Sequence, residues 1–258
     1  MDNRICSVII PAYRAEKTLA QTLDSVRVQS IHNWEAIVIV DGVFQDDTTL
    51  QIAQGYAAQD RRIKVKVNPQ NKGVAYSRNL GVSEATAPWV AFLDSDDLFH
   101  PQKLERQLAL ARHTGSPFLC SAYNTVSHLG NEVQYVRSVP RRIIRNDLIR
   151  RNVIGCSTVM LRRELIQKYP MRDGFIHEDY LCWLECLQDC DCTGCEEPLV
   201  DFRKTRNSRN SNKFRSALGV WQIYRNYLHY SRSESLRLWC TYACMGGKHL
   251  FLSSLLQI

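Results

Sequence analysis

Short apolar runs alternate with amphipathic stretches along the first hundred residues of the chain. The runs with the length of strands are residues 5–10, 36–40, 63–67 and 89–93, and the stretches with helical character are residues 16–29, 48–59 and 73–84. Strands that alternate with helices at this spacing predict βαβ units and a parallel sheet covered on both faces. Ligands of such sheets bind beyond the carboxyl ends of the strands. We therefore expect Pro11–Tyr13, Asp41–Gly42 and Asp94–Asp97 to lie along one edge.

The second half of the chain has a less regular pattern. The predicted elements are a helix at 102–113, a strand at 117–124, a hairpin turn at Gly130–Asn131 between strands near 123–128 and 132–137, a basic linker at Pro140–Arg151, a strand at Thr158–Leu161, helices at 163–168 and 178–189, a strand near 192–200, and two aromatic-rich helices at 212–230 and 235–255. These elements extend the α/β pattern and then end in helices.

Length and composition limit the classes of protein. A chain of 258 residues with 45% hydrophobic residues can bury a large core, as one domain or one domain with an extension. No apolar run approaches the ~20 residues of a spanning helix, and the opening residues do not have the pattern of a signal peptide. The sequence therefore predicts a cytoplasmic protein.

Charge and cysteines change this picture in the second half. The net charge is +7, and the segment Phe202–Ser233 holds eight basic residues and no acidic one, which leaves nucleic acid, anionic lipid and phosphate-bearing substrates open as partners. Five of the ten cysteines lie within Cys182–Cys195, without the paired C-x2-C spacing of a zinc ribbon. We expect reduced thiols there and no structural metal.

The strongest candidate for chemistry is Asp94-Ser95-Asp96-Asp97, directly after a predicted buried strand. Three carboxylates so close together repel one another unless a cation relieves the repulsion. Oxygen ligands of this kind suit Mg²⁺ or Mn²⁺, with diphosphate oxygens completing the coordination. The alternative, capping of the next helix, needs one acid and not three.

Two further motifs are weaker when taken alone. Glu178 and Asp179 begin a predicted helix, where acids are stabilised by the helix dipole, although a carboxylate facing a cleft could deprotonate a hydroxyl. In Asn71–Gly81, Gly73 permits a tight turn into a helix and Arg78 could point at an anion. This segment has neither the spacing of a P-loop nor that of a dinucleotide fingerprint.

Four motifs, taken together in their order along the chain, resemble those of the inverting family 2 glycosyltransferases, which have the GT-A fold. The motifs are Ser7–Tyr13, Asn71–Gly81, Asp94–Asp97 and His177–Asp179, and the resemblance covers about the first 200 residues. The pattern in Phe202–Arg203, Ser208–Lys213 and Trp221–Arg225 is also similar to bacterial transferases that build teichuronic acid, capsule or other surface polysaccharides.

The resemblance implies an α/β GT-A fold, with a Rossmann-like, mostly parallel central sheet flanked by helices and a helical C-terminal extension. It divides the chain into a transferase domain at 1–201, with a nucleotide-sugar half at 1–100 and an acceptor half at 101–201, and an extension at 202–258. The expected reaction transfers a hexosyl or N-acetylhexosaminyl group from a nucleotide sugar to a hydroxyl of a glycan or lipid-linked acceptor.

The resemblance also implies roles for individual residues. The general base would be Asp179, and the ligand of a divalent Mn²⁺ or Mg²⁺ would be Asp96. The donor would contact Pro11, Ala12, Tyr13, Asp41, Arg78, Asp94 and Ser95. The residues expected to contact the acceptor or support the site are Asp97, His177, Glu178, Arg203, Arg206 and Arg209.

One position departs from the family pattern. Relatives commonly carry two adjacent acids after the second strand, and the second of them contacts uracil. Here Gly42 follows Asp41. The acid that contacts uracil in relatives is therefore absent. A UDP-sugar remains the expected donor, with GDP- and dTDP-sugars as alternatives.

The basic tail has several interpretations. Arg203, Arg206 and Arg209 could close over the donor diphosphate or attract an anionic acceptor. The tail's aromatic residues could instead lie on an anionic membrane at the inner face of the cell, or pack on the domain. A nucleic-acid-binding module, a nucleotidyltransferase and a non-catalytic relative are the rival classes. The tail has no recognisable RNA-binding pattern, and the first strand lacks a glycine-rich phosphate loop, so we expect no nucleic acid partner.

Overall fold

The computed structural model describes residues 4–127, 132–203 and 213–242, with side chains in the last range from residue 216. The helices are α1 (Leu19–Arg27), α2 (Thr49–Gln59), α3 (Val74–Glu84), α4 (Lys103–Thr114), α5 (Arg145–Arg150), α6 (Arg163–Lys168), α7 (Glu178–Cys186), α8 (Lys213–Gln222) and α9 (232–242). The strands are β1 (Cys6–Ala12), β2 (Trp34–Asp41), β3 (Ile63–Asn68), β4 (Trp89–Phe92), β5 (Leu98–Phe99), β6 (Phe118–Val126), β7 (Val133–Arg137), β8 (Arg142–Ile143), β9 (Met160–Arg162) and β10 (Cys192–Arg203).

All ten strands form one sheet in the order β3-β2-β1-β4-β9-β6-β10-β5, with β7 on β6 and β8 on β10. The pairs from β3 to β4 are parallel, as the alternation of strands and helices predicts. Beyond β4 the sheet is mixed, because β9 runs antiparallel between β4 and β6 while β6 and β10 are parallel to each other. The α/β fold with a helical C-terminal part is therefore confirmed.

Neighbouring residues of the central strands supply two separate cores. Ile9 and Phe92 belong to one cluster, which α5, α7 and α8 cover, whereas Ile10 and Leu93 belong to the other, which α1 and α4 cover. Successive side chains of a strand point to opposite faces, so a continuous apolar run is what a sheet covered on both sides requires.

The most buried charge of the first half is Glu35 in β2. Its carboxylate accepts hydrogen bonds from Ser7 Oγ at 2.7 Å, Lys64 Nζ at 2.8 Å and the backbone N–H of Thr86 at 2.8 Å. Burial alone would raise the pKa of Glu35, but these donors lower it to about 2. The charge is therefore compensated and ties β1, β2 and β3 to the end of α3.

Several predicted boundaries in the second half differ from the structure. The segment predicted as a linker, Pro140–Arg151, contains β8 and α5, because Ile143, Leu148 and Ile149 bury their side chains in the core. The strand predicted at Thr158–Leu161 begins later, after a 3-10 turn at Cys156–Thr158. Helix α7 ends at Cys186 and not at 189. The predicted turn Gly130–Asn131 lies outside the described residues, although β6 and β7 do pair antiparallel.

The aromatic residues of the tail pack on the fold where they are described. Helix α8 continues into a π-helical turn at Ile223–Tyr227, in which Tyr224 is fully buried. Trp239 of α9 donates a hydrogen bond from Nε1 to the carbonyl of Ala217 at 2.9 Å. Among the described residues no helix combines the length and apolar character needed to cross a membrane.

Every cysteine in the described ranges is a free thiol. Burial raises the pKa of Cys190 to about 12 and that of Cys182 well above its ordinary value. Protonated thiols are poor nucleophiles and poor metal ligands, so burial lowers the reactivity of these two cysteines.

Candidate functional site

The carboxyl ends of β1, β2 and β4 meet at one edge of the sheet and bring the predicted motifs together. Tyr13 follows β1, Asp41 ends β2, and Asp94 comes two residues after β4. This juxtaposition follows from parallel pairing, in which strands that leave the sheet at the same edge release their next residues there.

Asp97 fixes the conformation of the acidic turn. Its carboxylate accepts hydrogen bonds from Ser157 Oγ at 2.6 Å and from the backbone N–H of Arg203 at 3.1 Å, and its side chain is buried. The backbone N–H of Asp94 in turn donates to Ser157 Oγ at 3.0 Å. Burial raises the pKa of Asp97 well above its usual range, and the charges of Asp96 and Asp94 raise it further. Burial and the crowding of these carboxylates therefore disfavour a third negative charge in the turn.

Arg78 joins this turn to α7. The residue is 1% exposed, and its guanidinium lies 2.5 Å from Asp94 Oδ1 through Nη2 and 2.9 Å from Glu178 Oε1 through Nη1. Burial alone would lower the pKa of Arg78, but the two carboxylates raise it well above its ordinary value. The family resemblance implied that Arg78 lies near the nucleobase or diphosphate of a donor. In the structure Arg78 connects Asp94 of the acidic turn with Glu178 of α7.

Asp179 occupies the first turn of α7, directly after Glu178. It is half-buried, and its Oδ1 accepts a hydrogen bond from the backbone N–H of Tyr180 at 2.8 Å. No other hydrogen bond to this carboxylate is formed by residues that the structure describes. A carboxylate with little internal hydrogen bonding remains able to accept a proton from a bound hydroxyl.

The residue before Asp179's helix, His177, contacts the C-terminal part of the chain. Its Nε2 lies 2.9 Å from the carbonyl oxygen and 3.0 Å from the hydroxyl of Ser216 in α8. A Cβ added at Gly219 would come within 2.7 Å of His177 Cδ2 and 2.9 Å of Ile176 Cβ. Glycine at 219 therefore lets α8 pack closely on the segment that leads into α7.

Asp41 holds the loop that precedes α3. It accepts hydrogen bonds at 2.9 Å from Asn68 Nδ2 and from the backbone N–H groups of Lys72 and Gly73. The next residue, Gly42, has a φ of 104°, and an added Cβ would lie 2.8 Å from the ring of Phe44. Any side chain at position 42 would be strained in this backbone conformation.

An exposed aromatic surface lies beside this loop. Tyr13, 48% exposed, contacts the Phe44 ring edge-on with 5.6 Å between centroids, and the guanidinium of Arg14 lies 4.5 Å from the same ring. Asp46 pairs with Arg14 at 3.0 Å. Pro11 and Ala12 are buried, so of the three residues predicted on β1, Tyr13 is the one whose side chain can contact a ligand.

The acidic turn fits a metal ion that takes part of its coordination from a bound diphosphate. Within the described ranges no group of three or more His, Cys, Asp or Glu side chains comes together as a metal site. Asp97 is buried in the turn, Asp94 pairs with Arg78, and Asp96 is partly exposed. Ser95 contributes its carbonyl to a hydrogen bond from Thr22. One carboxylate with diphosphate oxygens, as the sequence predicted, is compatible with this arrangement.

A cavity of about 530 Å³ adjoins Glu178. Its walls are the start of α3 from Lys72 to Ala75 and the segment Arg172–Ile176. A larger depression of about 880 Å³ lies near the start of β10, where Arg141 and Thr193 line it. That depression is at the opposite end of the strands from the acids, so its size does not make it the candidate site.

Of the three tail arginines expected to contact the acceptor or support the site, Arg203 lies within the described residues. Arg203 is buried, and its Nη2 donates a hydrogen bond to Gln21 in α1 at 2.6 Å. Arg206 and Arg209 lie outside the described residues.

Two residues could not be identified from the sequence. Ser157 forms hydrogen bonds with both Asp94 and Asp97, and Gly219 allows α8 to pack closely on the segment before α7. Ser157 stands in a short Gly-Cys-Ser-Thr stretch between elements, and no local pattern marks its partners.

Comparison with known proteins finds related sequences that cover most of the chain. The glycosyl transferase family 2 profile matches residues 7–169. The chain is 33% identical over 239 residues, 92% of each protein, to TuaG of Bacillus subtilis strain 168, a glycosyltransferase assigned by name to teichuronic acid biosynthesis. It is 32% identical over 231 residues, 88% of each protein, to WfgD of Escherichia coli, a UDP-Glc:alpha-D-GlcNAc-diphosphoundecaprenol beta-1,3-glucosyltransferase.

Solved structures show the same fold at lower identity. S. aureus TarS 1-349 in complex with UDP-GlcNAc superposes with a TM-score of 0.67 over 91% of this chain and 70% of that one, at 19% identity. The mannosyltransferase PcManGT of Pyrobaculum calidifontis, in complex with GDP-Man and Mn²⁺, gives a TM-score of 0.64 over 88% of this chain and 65% of that one, at 14% identity. At these identities the likeness establishes the fold.

Proposed function

Because this chain belongs to glycosyl transferase family 2, we propose that it transfers a sugar, with inversion, from a nucleotide sugar to a hydroxyl of a lipid-linked glycan during bacterial surface polysaccharide synthesis. The observation that carries the proposal is the position of Arg78, which contacts Asp94 of the acidic turn and Glu178 beside Asp179. A donor held at the turn and a base on α7 would thus face one cleft.

Asp179 acts as the general base in this proposal. Its carboxylate takes the proton of the acceptor hydroxyl as that oxygen forms a bond to the anomeric carbon. The bond from that carbon to the diphosphate oxygen breaks on the opposite side, and its electron pair leaves with the nucleoside diphosphate. The half-buried position of Asp179 and its single hydrogen bond within the described residues support this role.

Asp96 would hold a divalent ion, Mn²⁺ or Mg²⁺, together with oxygens of the donor diphosphate. When bound, such an ion supplies positive charge that stabilises the departing diphosphate. Asp97, through Ser157 and the backbone of Arg203, keeps the turn in place. Glu178 and Asp94 orient Arg78, and Asp94 remains partly open to the donor.

Tyr13 and the loop fixed by Asp41 would receive the nucleoside. Tyr13 offers an exposed ring that packs edge-on against Phe44. We favour UDP, since the name of the relative WfgD specifies UDP-Glc and TarS was solved with UDP-GlcNAc, although PcManGT was solved with GDP-Man. The lipid-linked acceptor follows from the name of WfgD, and it would bring the C-terminal helices close to a membrane surface.

The experiment that tests the site is calorimetric titration of UDP, GDP and dTDP into the full chain, with Mn²⁺ and with chelator. The expected result is metal-dependent binding of UDP, retained in Asp179→Asn and weakened in Asp96→Ala. Asp24→Asn, on the exposed surface of α1, is the matched control and should bind as the native protein does. If none of the three nucleotides binds, the proposed donor site is wrong.

A further inference from the structure

Lys103, the first residue of α4, is the one lysine of the described residues that is fully buried. Its amine nitrogen lies 4.2 Å from the centroid of the Phe99 ring and donates a hydrogen bond to Gln107 Oε1 at 2.7 Å. Within the described ranges no carboxylate pairs with this amine. Burial lowers the pKa of Lys103 to about 7, which shows that the buried charge is costly. An apolar side chain would fill the same space without that cost.

Gln107 connects Lys103 to the turn that precedes β9. Its side chain is fully buried one helical turn after Lys103, and its Nε2 donates a hydrogen bond to the backbone carbonyl of Thr158 at 2.8 Å. A side-chain amide has one acceptor oxygen and one donor nitrogen. Because Lys103 donates to the oxygen, the nitrogen faces Thr158. The reverse orientation would set the oxygen of Gln107 against the carbonyl oxygen of Thr158.

The turn before β9 in turn contacts the acidic turn. Strand β9 runs antiparallel to β4, so it enters the sheet at the end where β4 leaves it. Ser157 lies in this turn, accepts a hydrogen bond from the backbone N–H of Asp94 at 3.0 Å and donates one to Asp97 Oδ2 at 2.6 Å. Thr158 is the next residue, so the hydrogen bond from Gln107 restrains the turn directly beside Ser157.

These contacts form a continuous path from Lys103 through Gln107 and the turn before β9 to Asp97. All of its members are buried, and the hydrogen bonds along it measure between 2.6 and 2.8 Å. A buried polar group that loses its partner cannot turn to water instead, so the loss of one bond leaves the next group unsatisfied. A change at Lys103 or Gln107 is therefore expected to reach the acidic turn.

We infer that Lys103 and Gln107 are positioning residues of the donor site, which fix the turn that carries Ser157 and thereby the acidic turn. The inference rests on the proposed function for what the acidic turn binds. Neither residue contacts the donor in this proposal. Groups that orient metal ligands without contacting the metal affect its binding, and their replacement costs about 10–100-fold in affinity or activity.

The test separates the path from the general stability of the core. Gln107→Glu keeps an acceptor for Lys103, and gives it a counter-charge, but removes the donor to Thr158. Lys103→Met removes the amine, and with it the cost of burial, but leaves the amide of Gln107 without the group that orients it. Leu108→Ala is the control, because it creates a cavity on the same buried face of α4 and leaves the path intact.

Three measurements are made on the full native chain and on each variant. Urea unfolding gives stability, calorimetric titration of UDP with Mn²⁺ gives donor affinity, and hydrogen exchange followed by mass spectrometry, without nucleotide, reports the backbone N–H groups of residues 94–97 and 157–159. We expect Gln107→Glu and Lys103→Met to weaken UDP binding by about tenfold and to speed exchange in both segments. Leu108→Ala should lose stability, bind UDP as the native chain does and keep its exchange rates there.

Three results would overturn the inference. Unchanged exchange in both path variants would mean that Lys103 and Gln107 do not hold the turn. Faster exchange with native UDP affinity would mean that donor binding does not depend on their support. Equal weakening of UDP binding by Leu108→Ala would mean that any loss of core stability acts on the site. If the native chain binds no nucleotide, the proposed donor site is wrong, and the exchange rates alone decide whether the path holds the turn. Each path variant tests it separately, so a poorly folded one leaves the other decisive.

Discussion

Replacement of Arg78 by leucine tests the connection between the acidic turn and α7. The side chain of Arg78 is 2% exposed, that of Glu178 6% and that of Asp94 28%. Removing the guanidinium leaves Glu178 as a buried carboxylate without its main counter-charge, whereas Asp94 can be partly hydrated. Loss of one partner of a buried ion pair costs about 3–5 kcal/mol. Because Asp94 is partly exposed, we expect Arg78→Leu to lower the free energy of unfolding by about 3 kcal/mol, the lower end of this range.

Urea unfolding followed by circular dichroism measures this loss, and a double-mutant cycle shows its origin. In Arg78→Leu/Glu178→Leu the buried charge is removed together with its partner, so most of the stability should return. Donor binding should not return with it, because Asp94 has still lost the group that orients it. Arg141→Leu, which removes an ion pair whose arginine is 83% exposed, is the matched control and should leave the free energy of unfolding nearly unchanged.

Either of two results would refute a stabilising buried pair of Arg78 and Glu178. Arg78→Leu would cost no more than the exposed control, which would mean that the buried contacts contribute little. Alternatively, the double variant would be as unstable as the sum of the two single variants, which would mean that Arg78 and Glu178 do not act as a pair.

Four further changes have expected outcomes. Asp179→Asn should lower the rate of transfer by about 10²–10⁴-fold, because the base is lost, with UDP affinity unchanged in calorimetry. Asp96→Ala should abolish the difference between UDP binding with Mn²⁺ and with chelator. Gly42→Ala, at a φ of 104° and against an aromatic ring, should cost about 1–3 kcal/mol in urea unfolding, whereas Gly55→Ala in the open surface of α2 should not destabilise. Since the pKa of Glu35 is about 2 in the folded chain against an ordinary 4.5, its contribution to stability is full above pH 4.5 and is lost as the pH falls towards 2; Glu35→Gln should reduce this dependence.

Each of these has a result that contradicts it. Substantial turnover by Asp179→Asn would assign the base elsewhere, and metal-dependent UDP binding by Asp96→Ala would assign the metal elsewhere. If Gly42→Ala left the free energy of unfolding unchanged, the loop would have adjusted its backbone to the added methyl group. For Glu35→Gln, an unchanged dependence of the free energy of unfolding on pH between 4.5 and 2 would mean that other carboxylates dominate acid unfolding.

The first half of the fold could be predicted from local pattern because its connections are local. Helices connect the strands from β1 to β4 in turn, and β1 pairs parallel with β2 and β4, so apolar runs and the acids that follow them are sufficient to place Asp41 and Asp94 at one edge. The second half could not be predicted in this way. Strand β9 inserts antiparallel between β4 and β6, and the short apolar groups that make β8 and α5 are spaced by arginines, which suggested a linker.

The same limit applies to the site. Tyr13, Asp96 and Asp179 can be identified as candidates because each stands in a motif. The contacts that hold them cannot, since they join residues far apart in the sequence: Ser157 lies 60 residues from Asp97, and Arg78 lies 100 residues from Glu178. A buried arginine between two carboxylates has the same sequence signature as an exposed one aimed at a ligand.

The close contact between α8 and the segment before α7 has a consequence for how such proteins diversify. Because Gly219 and Ser216 rest on Ile176 and His177, α8 and the segment that leads into α7 pack as one unit. Exchanging the first hundred residues between relatives would replace the acidic turn and leave that contact intact. Exchanging the tail alone would disturb the start of α7, so the tail and this segment must change together.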